Sequence, residues 1–200
     1  MKSTSFAAIL VLLLAGIAGA ATIDFRDAGF GGSNYQPSFT SGNVTLTALP
    51  LGALLYWDST DGMGVRRSYE NDEIEGIERL RITFATPMYL SNLLLTDLFN
   101  EGYLERGSYM LDATGTWISF QADPGQVPGT TNGELLLSFA LDTLATSITF
   151  RAPGYLPYLN QRHEFSVAQI EASAVPIPAA AWLLGTGLVG LVALRRRKSA

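Results

Sequence analysis

Apolar and polar residues alternate in short bursts along the middle of the chain, most clearly in Val44-Thr45-Leu46-Thr47 and Leu80-Arg81-Ile82-Thr83-Phe84. A period of two places every second side chain on one face of a strand, so these segments predict strands with one dry and one wet face. Similar β-prone runs, each bounded by Gly, Pro, Asn or Asp, fall at residues 22–25, 43–49, 53–57, 80–84, 89–99, 108–111, 116–122, 134–140, 147–151 and 165–171. No amphipathic stretch is long enough for a substantial helix, and no fixed repeat period is evident. The pattern predicts an all-β sandwich of about ten strands with jelly-roll-like topology. Trp57, Phe84, Trp117, Phe120, Phe139 and Phe150 are expected in or near its core.

Both ends of the chain break this pattern. Lys2, the apolar run Phe6–Ile17 and the small residues Ala18-Gly19-Ala20 have the layout of a secretory signal peptide over residues 1–20, with cleavage directed by Ala18 and Ala20. At the other end, residues 179–194 carry no charge, and at about 1.5 Å per residue they make about 24 Å of helix, marginal for a hydrocarbon core of about 30 Å. Five Leu and two Val contribute roughly −2 to −4 kcal/mol toward insertion. Thr186 is the only polar side chain in the run, too little for the wet face of a core helix. Arg195, Arg196, Arg197 and Lys198 then stop transfer, and by the positive-inside rule the preceding domain lies across the membrane from them. The Gly185-Thr-Gly187-Leu-Val-Gly190 match to a dinucleotide fingerprint has neither the strand before it nor the acidic residue after it that the chemistry requires.

Val175-Pro176-Ile177-Pro178-Ala179, followed by a Trp-containing apolar helix broken by Gly and by a terminal Arg cluster, resembles the PEP-CTERM sorting signal of exosortase-processed bacterial proteins, in its VPxPA variant. The likeness covers residues 175–200 and departs from the name-giving motif at Ile177, where the PEP form has Glu. It implies export, retention in the inner membrane with the domain on the periplasmic side, processing by an exosortase near residues 175–179, and passage to the cell surface or extracellular matrix. A permanent single-span anchor is the physical alternative.

With both ends set aside, residues 21–174 hold eight Arg, no Lys and all eighteen acidic residues, so 8 − 18 gives a net charge of −10. That field disfavours nucleic acid as a partner and attracts cations. The chain contains no Cys, which excludes thiol nucleophiles and thiolate zinc sites and leaves the fold to its core alone. The lone histidine, His163, has no GxSxG elbow to serve and is expected in an exposed loop or at a strand edge.

Asp58, Asp61, Glu70, Asp72, Glu73 and Glu75, with Glu78 nearby, crowd seven carboxylates into about twenty residues. They form either a solvated loop or an irregular Ca²⁺ site, since the spacing lacks the register of an EF-hand. The leading expectation is a non-catalytic surface or matrix protein associated with exopolysaccharide or biofilm. Its alternatives are a calcium-assisted carbohydrate-binding module and a glycosidase, for which two facing carboxylates would suffice.

Overall fold

A computed structural model describes residues 20–67, 72–112, 115–153 and 162–175, the side chain of Asp142 excepted. The expected signal segment through residue 19, Glu70, and residues 176–200 with the rest of the expected sorting motif, the expected membrane span and the basic tail lie outside them. Among the described residues no helix is long and apolar enough to cross a membrane. One compact unit spans Gly19–Ala174.

The strands are β1 (Ala21–Asp24), β2 (Ser38–Ser41), β3 (Val44–Leu49), β4 (Leu54–Asp58), β5 (Gly62–Arg66), β6 (Arg79–Thr96), β7 (Arg106–Leu111), β8 (Trp117–Gln121), β9 (Leu135–Arg151) and β10 (Ser166–Ala174). A 3₁₀ turn over Ala28–Ser33 is the one helical element among the described residues. The fold is all-β, as expected, and all ten strands join one antiparallel sheet in the order β4-β5-β10-β6-β9-β7-β8, with β1 on β10 and the β2–β3 pair on β6.

The two long strands give this sheet two faces across one core. The first part of β6 lies between β3 and the end of β9, with Leu80 opposite Phe150 and Ile82 opposite Ile148. The second part lies between β10 and the start of β9, with Leu93 opposite both Ile170 and Leu137. The register shifts between Thr83 and Met88, and Pro87 sits in that gap, where its missing N–H breaks no ladder bond. The sequence pattern reads the Pro as a boundary and divides β6 in two; β9 is divided likewise.

Side chains from both parts of the sheet meet inside. Phe165, just before β10, packs edge-on against Phe120 of β8 at 5.0 Å and Phe150 of β9 at 6.5 Å between ring centroids. Phe25, Phe150 and Phe165 are fully buried, each worth about 1.5–3 kcal/mol of apolar transfer.

Two strands were not legible as such. β2 carries a single apolar residue, Phe39, and is paired only through β3. β5 reads as part of the acidic loop because it is Gly-rich, yet its glycines are what the packing requires. A Cβ at Gly62, whose φ is +102°, would land on the Val167 carbonyl, and one at Gly64 would land on the Asp72 carbonyl.

Candidate functional site

The acidic segment divides between three structural settings. Asp58 caps the β4–β5 turn, its Oδ1 accepting the Thr60 N–H at 2.6 Å, a local Asx bond that shapes the turn. Asp61 follows, its carbonyl accepting the Thr96 hydroxyl at 2.6 Å, while burial and then the charges of Asp58 and Asp72 raise its carboxyl above the ordinary range. Glu73 is pushed well above that range by burial first, then by a hydrogen bond shared with Asp72 and the charges of Glu164, Asp72 and Asp97. Glu75 leaves this group and pairs with Arg162, which also pairs with Glu164 at 2.8 Å.

Asp97 and Glu164 join Asp61, Asp72 and Glu73 electrostatically from distant parts of the chain. Asp97 follows β6 in a left-handed conformation, φ 58°, which Asp tolerates better than most residues, and burial followed by Asp61, Asp72 and Glu164 raises its pKa to about 7. Glu105 is 2% exposed and its Oε2 accepts the Phe99 N–H at 2.7 Å. Burial outweighs that bond and sets its pKa at about 8. Sequence spacing places neither Asp97 nor Glu164 beside residues 58–75; the fold brings them there. Among the described residues no group of three or more carboxylate or imidazole side chains is arranged to hold a metal ion. At neutral pH Glu73 and Glu105 hold protons that ordinary carboxylates would have released.

His163 is not the exposed residue expected from its charged neighbours. It is 4% exposed, edge-on to the Tyr103 ring at 5.5 Å, and its Nδ1 has no hydrogen-bond partner among the described residues. Burial and then Arg106 lower its pKa, so the imidazole is neutral. With Glu75, Gly76, Pro153 and Arg162 it lines a cavity of about 170 Å³.

A larger cleft, about 330 Å³, shares Gly76 and Pro153 with that cavity and continues along Ile77, Glu78, Arg79, Ser108, Arg151 and Ala152. It opens beside the outer face of the sheet, and here the position expected for Trp117 is corrected. In β8, Phe120 turns inward and is 7% exposed, while Trp117 lies on the opposite side of the strand, half-buried beneath two arginines. The Arg151 guanidinium lies 3.9 Å from the centroid of the Trp117 ring and that of Arg79 lies 5.9 Å away. Pairing partners share a face, so Thr45, Thr47, Arg81, Thr83 and Ser119 belong to this surface too, while Ser147 and Thr149 lie on the same side of the sheet but are buried. The alternation at residues 79–83 and 148–151 announces the polar side of each strand, but not that the two sides adjoin.

No family model and no curated protein matches the chain. One solved structure to which it bears similarity is CBM32-3 from a family 31 glycoside hydrolase of Clostridium perfringens, at 10% identity over 77% of this chain and 88% of that one, with a TM-score of 0.28. A likeness at that level carries neither fold detail nor ligand.

Proposed function

We propose that this is a non-catalytic, exosortase-sorted protein of the cell surface or extracellular matrix, whose jelly-roll-like domain associates with polysaccharide. The Val175–Ala179 motif, the apolar run and the basic tail support the sorting route. The observation that carries the polysaccharide reading is the hydroxyl-bearing outer face of the sheet. Ser38 and Thr40 of β2 and Ser119 of β8 are exposed, Thr45 and Thr47 of β3 and Thr83 of β6 are half-buried, and the face borders the 330 Å³ cleft. That volume is at the lower end of ordinary ligand sites, and hydroxyls on neighbouring strands offer both donors and acceptors to a sugar polymer.

Native gels containing a soluble polysaccharide test the binding. The full chain in mild detergent should be retarded by dextran or alginate, and migration unaffected by either would refute it. Mass spectrometry of protein from exosortase-positive and exosortase-deleted hosts tests the sorting. Loss of the tail only in the positive host is expected, and a full-length tail in both would refute it.

A further inference from the structure

We propose that Arg79, Arg81 and Arg151, the first and last of them lying over Trp117, form a binding site for the carboxylate groups of an acidic polysaccharide. This deepens the polysaccharide reading above and rests on it.

The charge distribution is the first support. Residues 21–174 carry a net −10, yet the outer face of the sheet gathers three arginines within two adjoining strands. Arg79 on β6 stands directly opposite Arg151 on β9, and Arg81 stands opposite Thr149, to whose Oγ1 it donates from Nε at 3.3 Å. Like charges directly opposite each other on one face are destabilising. Two other arginines of the domain pair with carboxylates, Arg26 with Asp24 and Arg162 with Glu75 and Glu164. Among the described residues none of Arg79, Arg81 and Arg151 has such a partner.

Nearby acids are otherwise engaged. Glu78, which lines the cleft, is 4% exposed and its Oε2 accepts the Glu75 N–H at 3.3 Å. Asp112, at the far end of the face, bonds the Ser147 hydroxyl. Among the described residues the arginine cluster thus offers positive charge without a paired carboxylate, which a ligand's anion would neutralise.

Preorganisation is the second support. Stacking of Arg151 on the Trp117 ring restricts its side chain before any ligand arrives, so less freedom is lost on binding. Neighbouring strands lie about 5 Å apart and alternate residues along a strand about 7 Å apart, so the three arginine bases form a small triangle. Guanidinium forks match carboxylates in a bidentate manner that a hydroxyl does not reproduce. Charge complementarity therefore selects a polyuronate over a neutral glycan, and the flanking hydroxyls suit the rest of each sugar ring.

The full chain in mild detergent with EDTA, run on native gels containing alginate, dextran, dextran sulfate or polyglutamate, tests the proposal. Alginate is expected to retard the protein, dextran not, and Arg79→Gln/Arg151→Gln to weaken alginate retention about tenfold or more. Arg79→Lys/Arg151→Lys keeps the charge without the forks and should recover only part of it. Trp117→Ala supplies a second variant, expected to weaken retention with both arginines in place, and a melting curve confirms that each variant is folded.

Retardation by dextran alone leaves the polysaccharide reading standing and overturns the acidic one; retardation by neither polysaccharide overturns both. Equal retardation by polyglutamate reduces the effect to bulk charge and overturns the site. Stronger retention by dextran sulfate than by alginate overturns the carboxylate assignment. Equal binding to phosphatidylglycerol vesicles would make the face a lipid surface instead.

Discussion

Glu105→Gln isolates what a buried carboxyl does to this fold. Glu105 is 2% exposed, and burial raises its pKa from 4.5 to about 8, aided by the charges of Glu164, Glu101 and Asp97 and opposed by the Phe99 N–H. A carboxyl whose folded pKa is raised binds more protons folded than unfolded between those two values, so stability falls as pH rises through that window. With about 1.36 kcal/mol per pH unit, ionising this group costs the fold on the order of 3–5 kcal/mol between pH 4.5 and 8. Glutamine retains an oxygen for the Phe99 N–H and cannot ionise.

Thermal melts of the full chain from pH 5 to pH 9 should therefore show wild type and variant nearly together at pH 5. By pH 9 the variant should be ahead by about 6–20 °C, taking about 2–4 °C per kcal/mol for a domain of this size. His163, lowered by burial, works in the opposite sense, costing stability as pH falls below about 6.5. The variant-minus-wild-type difference removes its contribution. Parallel curves across the range, or wild-type stability that gains on the variant with rising pH, would refute the buried-acid reading.

Other expectations follow from the packing. Gly62→Ala combines a left-handed φ with a Cβ on the Val167 carbonyl and should cost about 2–4 kcal/mol in urea melts; a loss below about 1 kcal/mol would mean β5 and β10 do not meet there. Phe150→Ala should cost about 3–5 kcal/mol, since that ring is fully buried and packs against Phe165, whereas an exposed ring would lose far less. Trp117→Ala, on the outer face, should cost less than about 1.5 kcal/mol, and a loss equal to that of Phe150→Ala would return Trp117 to the core.

Local chemistry is what one strand of sequence can express. Alternation at residues 44–47 and 80–84 was enough for β3 and the first part of β6, because side-chain direction in a strand depends only on parity. The net charge of −10, the absence of Cys and the sorting-signal resemblance likewise needed no fold. The acidic stretch was visible as a cluster, but its division was not: Asp58 turned to its own backbone, while Glu75 found Arg162 eighty-seven residues away. His163 carried no local sign of burial.

Strand register is a long-range choice, made by which apolar rows fit together across the core. Once Leu80 met Phe150 and Ile82 met Ile148, Arg79 had to stand opposite Arg151, and Trp117 was left outside beneath them. The residues of the outer face were thus written into separate segments as ordinary polar positions. Core packing, by setting that register, made them neighbours.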